Sequence, residues 1–282
     1  MTAFRSGFVT LFGRPNTGKS TLLNRMLGRK VTITSDKAQT TRHQIRGVRT
    51  TDDYQIVFVD TPGVGKPRTA LGEKLNATAA DARSGVDVVC FVVDGRSGFG
   101  RGDAFLAERL HPPSTVVVLN KIDGMRAEAI ADQLTKLAPL DASAYFPVSA
   151  QTGAGVDALV QHLGARMPEG PHWYPDDQFT DVGETMWVAE LVREQLLRTL
   201  RDEVPHSVAT RVTEWQWPRV RVEILVERES QKGIVIGHKG EVLKTVGTLV
   251  RKQLPKGVFL DLFVTVDKNW QQDVSSVERL GY

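Results

Sequence analysis

Cysteine is nearly absent from this sequence: Cys90 is the single one among 282 residues. One thiol cannot build an internal disulfide framework, which excludes the small stapled folds of secreted domains and fits a reducing compartment. Cys90 lies in an apolar run and reads as a small buried hydrophobe. Long hydrophobic runs are missing as well. The longest, residues 86–93, is broken by Asp87 and falls far short of the roughly 20 residues that cross a bilayer. The N-terminus shows no charged-then-apolar leader pattern, since the apolar character of residues 8–12 lasts for one strand. There is no internal repeat and no excess of charge of one sign: 36 basic against 33 acidic residues leave a net charge of +3. With a pI of about 9.0, that balance hints at a polyanionic partner and no more. What is present, 41% hydrophobic and 24% charged residues, is ordinary for a soluble globular chain. The expectation is a cytosolic protein of one large or two ordinary domains.

The first ~165 residues alternate strand-like and helix-like segments, which implies a mostly parallel sheet covered on both faces by helices. Strands are expected over 7–12, 54–60, 86–93, 115–120 and 144–148, all nearly continuous Val/Ile/Phe runs of the kind buried on both faces. The more polar stretch 44–51 reads as an antiparallel edge strand. Helices are expected over 19–27, 126–137 and 156–166. The stretch 167–180 holds three prolines and no periodicity, the texture of a linker. Beyond it, 184–200 carries a helical apolar stripe. Residues 219–226 and 258–266 alternate as half-buried strands, with two short helices around a Gly-x-x-Gly turn between them. The expected fold class is α/β, a P-loop domain over 1–167, followed by a linker over 168–181 and a smaller α+β domain over 182–282.

Three ordered motifs at strand ends carry the chemistry. Gly13, Arg14, Pro15, Asn16, Thr17, Gly18, Lys19 and Ser20 match G-x-x-x-x-G-K-[ST] in full, after a strand and at the head of a helix whose first turn holds Thr21. A backbone curled at glycines points its N–H groups at phosphate oxygens, and the helix N-terminus adds positive potential. Lys19 is expected on the β- and γ-phosphates and Ser20 on Mg²⁺. Asp60, Thr61, Pro62 and Gly63 end the second parallel strand, followed by Val64. A carboxylate there can hold Mg²⁺, and the Gly63 amide can meet the γ-phosphate, although Asp-x-Pro-Gly alone is a common turn. Asn120, Lys121, Ile122 and Asp123 decide the base. The Asp123 carboxylate can accept from the ring N–H and the exocyclic amine of guanine, a donor pair that adenine lacks, and an unmade charged hydrogen bond costs on the order of 1.5–3 kcal/mol. Ser149 and Ala150 supply amides near the guanine oxygen.

On these motifs the chain resembles the translation-factor-type GTPases, and within them the Era family of bacterial GTPases, over essentially its whole length. The resemblance implies GTP/GDP and Mg²⁺ as cofactors, with Ser20, Asp60 and Thr41 as the metal-facing set and Lys19, Thr41, Gly63 and Asn16 as the catalytic set. Where Ras-like relatives carry a water-orienting glutamine, this chain has Val64, so intrinsic turnover is expected to be slow. Asn16 has two open readings, a turn residue or, as in related GTPases, a group that helps hold K⁺ beside the phosphates. The first switch is expected over 33–42, and the second from Gly63 to about Leu75.

The tetrapeptide Gly237, His238, Lys239 and Gly240 resembles the loop with which a type II KH domain clamps single-stranded RNA. From Arg228 to Lys256 there are seven basic and two acidic residues, a local positive face suited to phosphates, in which Lys232, Lys244 and Arg251 join Lys239 as RNA candidates. Trp215, Trp217 and Trp270 could stack on bases, but fit a core or hairpin better. The resemblance implies the 3′ end of small-subunit (16S-type) rRNA and the 30S subunit as partners, with no place for DNA. It also implies peripheral association with the cell membrane, for which the chain offers no basic amphipathic helix. Two other readings stay open: a GTPase acting on tRNA or large-subunit rRNA, and an RNA-binding module whose nucleotide only supports the fold.

Overall fold

The computed structural model describes residues 3–282. The chain divides into two compact units. The first holds the residues up to Thr32 together with Thr41–Lys66 and Leu75–Asp181; the second holds Ile33–Thr40, Pro67–Lys74 and Val182–Tyr282. Among the described residues no helix is long and apolar enough to cross a membrane.

The elements of the first part of the chain run β1 (Arg5–Phe12), α1 (Lys19–Leu27), β2 (Ile45–Thr50), β3 (Tyr54–Asp60), α2 (Ala70–Asp81), β4 (Val88–Asp94), α3 (Arg101–Ala107), β5 (Thr115–Asn120), α4 (Ala127–Leu137), β6 (Ala144–Pro147) and α5 (Val156–Arg166). The strands form a six-stranded sheet in the order β2-β3-β1-β4-β5-β6. Only β2 is antiparallel, paired to β3 with Val48 opposite Val57. Alternation explains why the strands look continuously apolar. In β4, Val88, Cys90 and Val92 enter one core with Leu22 of α1 and Leu159 of α5. Val89, Phe91 and Val93 enter the other, with Ala79 of α2, Leu106 of α3 and Leu137 of α4. All of Val88 to Val93 are buried because helices cover both faces. Phe12, Asp60, Asp94 and Asn120 all end at the carboxyl edge, where a doubly wound sheet presents its site.

Boundaries shift where pairing overrides hydropathy. Strand β1 starts two residues before the apolar run, since Arg5 pairs with Tyr54 and Ser6 with Gln55 through the backbone. Strand β4 starts two residues late because Asp87 turns its carboxylate back to accept from the Phe8 amide at 2.8 Å.

The proline-rich stretch after α5 is tied down throughout. The fully buried Gln55 accepts from the amides of Trp173 (2.7 Å) and Tyr174 (3.0 Å) and donates to the Tyr174 carbonyl (2.9 Å). Farther along, the Val48 amide donates to the Phe179 carbonyl at 2.9 Å, and Thr180 bridges to Gly47. The strap thus covers the edge strand β2, which would otherwise present open amides and carbonyls.

The second unit continues with α6 (Glu184–Thr199), α7 (Val204–Ser207), β7 (Ala209–Gln216), β8 (Arg219–Val226), α8 (Glu229–Ile236), α9 (Glu241–Arg251), β9 (Phe259–Val266) and α10 (Val274–Arg279). Its sheet runs β7-β8-β9, antiparallel then parallel, with α8 and α9 as the crossover. Val220, Val222, Ile224 and Val226 pack with Leu191 and Leu196 of α6 and Val246 and Val250 of α9. Trp270 is fully buried and donates through Nε1 to the Ser207 carbonyl at 2.9 Å, which removes it from the base-stacking candidates. Trp217 is 53% exposed on the β7–β8 hairpin, its ring 5.9 Å from that of Trp215.

Helix α6 departs from a simple amphipathic stripe. Glu190, Arg193, Glu194 and Gln195, on its polar side, are buried too. Their partners include the chain segment 33–40 of the same unit. Glu194 accepts from the Thr34 amide at 3.0 Å, while Arg193 pairs with Glu190 at 2.6 Å and also donates to the Thr40 carbonyl. Charges are tolerated there because each meets a partner, and removing one partner would strand the other.

Candidate functional site

The phosphate-directed loop starts where β1 ends. Helix α1 begins at Lys19 with Gly18 as its cap and carries no acidic residue in its first turn, so its positive end is unopposed. Lys19 is buried, with Nζ donating to the carbonyls of Gly13 (3.2 Å) and Arg14 (2.9 Å). Loss of hydration on burial lowers its pKa to about 8, against the opposing pull of the Asp60 charge. Arg14 turns away to Asp103 of α3 at 3.3 Å. Thr17 is buried and commits its hydroxyl to the Arg14 carbonyl at 3.1 Å.

Four oxygen-bearing side chains converge next to Lys19. The Ser20 hydroxyl lies 2.7 Å from that of Thr41 and donates to Asp60 Oδ2 at 2.8 Å; Thr41 and Thr32 approach the same oxygen at 3.3 Å. Thr40 points elsewhere, its hydroxyl donating to the Lys37 carbonyl at 2.7 Å. Asp60 is fully buried, its Oδ1 takes no hydrogen bond, and burial raises its pKa in spite of the Lys19 charge and three hydroxyl donors. A carboxylate that is costly to keep ionised, with a bare oxygen beside two hydroxyls, suits a small hard cation. Ser20, Thr41 and Asp60 therefore fit Mg²⁺ by donor chemistry.

Past β3, Thr61 is buried and bonds the Leu11 carbonyl at 2.8 Å; Pro62 is buried as well. Gly63 passes so close to the phosphate loop that an added Cβ would sit 2.6 Å from the Pro15 Cα, which leaves room for glycine alone. The Val64 side chain goes into the core with Phe91 and Leu106, and its amide donates to the Gly13 carbonyl at 3.3 Å.

On the other side, a cleft of about 130 Å³ is lined by Gly18, Thr21, Arg96, Asn120, Lys121, Asp123, Ala150 and Gln151. Asn120 commits both ends of its amide to the backbone: Nδ2 to the Thr17 carbonyl (2.9 Å) and Oδ1 from the Ala150 amide (3.0 Å). It fastens the phosphate loop to the base-side loop. Lys121 bridges Asn16, whose carbonyl accepts from Nζ at 2.5 Å, and Asp94 at 2.7 Å. Ile122 packs against the core, so Asp123 is the carboxylate that the tetrapeptide turns toward the cleft. Ser149 donates to Asp123 Oδ1 at 2.8 Å and holds that carboxyl below the ordinary range, against slight burial and with help from Arg96. It stays ionised near neutral pH and can accept two N–H groups.

Sequence reasoning passed over three residues of this side: Asp94, Arg96 and Gln151. Asp94 was open to discovery, being a strand-end carboxylate followed by glycine. Arg96 and Gln151 carry no local signal.

In the second unit, the loop between α8 and α9 turns sharply. Gly237 has φ 76°, and a Cβ there would meet the Val242 amide nitrogen at 2.8 Å, so the position requires glycine. His238 and Lys239 are exposed at the tip, Lys244 and Arg251 are exposed along α9, and Lys232 lies on α8. Ile234 is 51% exposed near the end of α8. It offers an apolar platform beside the positive loop.

A buried lysine in a glycine-bounded loop at a helix head, hydroxyls gathered on a strand-end aspartate and a carboxylate lining the neighbouring cleft are the features of a guanine-nucleotide-binding P-loop protein, here joined to a KH-type unit. The family described as "50S ribosome-binding GTPase" matches residues 8–121, and the KH domain family matches residues 203–271. The chain is 46% identical to "GTPase Era" of Mycobacterium avium (strain 104) and to that of Mycobacterium tuberculosis (strain ATCC 25618 / H37Rv), with all of each chain covered. It belongs to the Era family of GTPases. Among solved structures it is similar to Era in complex with MgGDPNP and nucleotides 1506–1542 of 16S ribosomal RNA (TM-score 0.95, 34% identity). It is also similar to a single-residue variant of Aquifex aeolicus Era bound to GDP.AlF4⁻ (TM-score 0.93, 35% identity); each match covers 99% of both chains.

Proposed function

We propose that this GTPase uses the cycle from GTP to GDP and phosphate to govern its hold on small-subunit ribosomal RNA near the RNA's 3′ end, and so assists 30S assembly in the cytoplasm. The observation that carries this reading is the match, over 99% of both chains, to a relative captured with MgGDPNP and a 16S rRNA segment. The glycine-requiring turn at Gly237, with Lys239 and Ile234 exposed around it, supports it from this chain's own geometry.

Lys19 and the amides at the head of α1 hold the β- and γ-phosphates, Asp123 reads the guanine edge, and Ser20, Thr41 and Asp60 would hold Mg²⁺. Bound there, Mg²⁺ supplies positive charge against the negative charge that builds on the transferring phosphoryl group. The Gly63 amide stands beside the phosphate loop to meet the γ-phosphate. Val64, apolar and packed into the core, cannot orient a water, so unassisted turnover is slow. Asn16 fits a K⁺-holding role beside the phosphates, whose charge would stand where an arginine finger otherwise acts. Turnover is expected to be on the order of tenfold or more faster in K⁺ than in Na⁺ buffer. Equal rates would remove that role.

Thr40 and Thr41 make the switch readable by the second unit. Thr41 lies on Asp60, while the carbonyl of Thr40, one peptide bond away, is held by Arg193 of α6. A ligand that fixes Thr41 therefore also fixes the strand of chain that α6 grips, and its loss frees both. Titration with a fluorescent RNA of the 16S 3′-end sequence tests this. Affinity is expected to be roughly tenfold higher with a non-hydrolysable GTP analogue than with GDP. A Gly237→Asp/Gly240→Asp double variant should lose on the order of 10–100-fold, since two carboxylates would face phosphates. Identical affinities in both nucleotide states would refute the coupling, and unchanged binding by the double variant would refute the RNA site.

A further inference from the structure

Asp123, the residue that selects the base, is not waiting alone in its cleft. Arg96 donates through Nη2 to the Asp123 carbonyl at 3.0 Å and makes a closer ion pair with Oδ2 of the same residue. The arrangement is built from below. Asp94, at the end of β4, is pinned by Lys121 Nζ at 2.7 Å, and its Oδ1 accepts from the amides of Arg96 (2.9 Å) and Ser97 (3.3 Å). The Gly95 amide donates to the Asn120 carbonyl at 2.7 Å. The loop 94–97 is thereby fastened to the base-reading tetrapeptide on two sides, and it aims the guanidinium across the cleft. Of the Asp123 oxygens, Oδ1 is bonded to Ser149 and Oδ2 to Arg96.

We infer that Arg96 is a specificity-tuning residue that competes with the purine base for the Asp123 carboxylate, lowering affinity for guanine nucleotides and speeding their release. The inference rests on the reading of Asp123 as the guanine acceptor. When the ring N–H and 2-amino group of guanine approach, they must share or displace a charge-assisted bond already made, so part of their binding free energy goes into the exchange. A base without that donor pair loses less than it would at a bare carboxylate, because Arg96 keeps the charge neutralised. Arg96 thus blunts discrimination as well as affinity. Its side chain is 56% exposed, which makes the effect modest and sensitive to salt.

The test uses the full chain with Arg96→Ala and Arg96→Lys, following release of fluorescently labelled GDP by stopped flow and equilibrium binding of GDP, IDP and ADP. Arg96→Ala is expected to slow GDP release and tighten GDP binding by about two- to fivefold, the range of an exposed ion pair. It should weaken ADP binding, and the gap from the native protein should close at about 0.5 M salt, where charges are screened. Arg96→Lys, which keeps the charge, should restore most of the native rate, a rescue that loss of packing alone would not give. Weaker or unchanged GDP binding by Arg96→Ala would overturn the inference and cast Arg96 as a support for the base instead. Should the native protein bind ADP or IDP as well as GDP, the reading of Asp123 itself fails; native discrimination with no tightening in Arg96→Ala sinks the Arg96 inference alone.

Discussion

An Asp123→Asn variant is expected to bind GTP on the order of 10²–10⁴-fold more weakly than the native chain while gaining affinity for xanthosine triphosphate. In the proposed site the carboxylate would accept from two N–H groups of guanine, and each charge-assisted bond is worth about 1.5–3 kcal/mol. An asparagine at 123 would set an NH₂ donor against one of those donors. Xanthine carries a carbonyl where guanine carries the amine, so the same NH₂ finds an acceptor there. Ser149 reinforces the effect, because it donates to the Asp123 carboxylate in the native site and a neutral amide oxygen is a weaker acceptor. Calorimetric titration with GTP, XTP and ATP reads the outcome directly. If the variant still prefers GTP over XTP, Asp123 is not the base reader.

A Lys19→Ala variant should lose on the order of 10²–10³ in single-turnover GTP cleavage at saturating nucleotide, with binding weakened as well. A preorganised charge in a site shielded from water is worth far more than the same charge in solvent. Lys19 is 6% exposed and held between the Gly13 and Arg14 carbonyls, so its ammonium is placed before any phosphate arrives. Arginine should not rescue, because a planar guanidinium has no space at that buried position and cannot reproduce a compact point charge. Phosphate release by a coupled fluorescent sensor, alongside circular dichroism to verify folding, measures the loss. Turnover within tenfold of native by the alanine variant would contradict the assignment of Lys19 to the phosphates.

The two effects differ little in how far they could be seen from residue order. Lys19 and Asp123 belong to short motifs whose chemistry is local. A loop of six residues between a strand and a helix positions Lys19 by itself, and a strand end positions Asp123. The strands are legible for the same reason: when both faces are covered, nearly every residue over 115–120 must be apolar, and the pattern stands out. The KH loop stood out through its resemblance and the basic residues around it, since glycines at 237 and 240 alone would equally suit a plain helix–helix turn.

Contacts between residues far apart in the chain left no such mark. Nothing in the run around Gln55 announces that its amide would anchor the proline-rich strap 118 residues later at Trp173. Helix α6 was legible as a helix from its apolar stripe; that Glu190, Arg193 and Glu194 are buried as well follows from where residues 33–40 lie. The placing of Arg96 across the Asp123 cleft is of the same kind. Residue order alone settled which chemistry this protein carries, because motif chemistry is written in neighbours a few positions apart. Which charges are buried, paired or in competition was left to the packed chain, since burial and distance arise only on folding and leave no periodic trace in the order of residues.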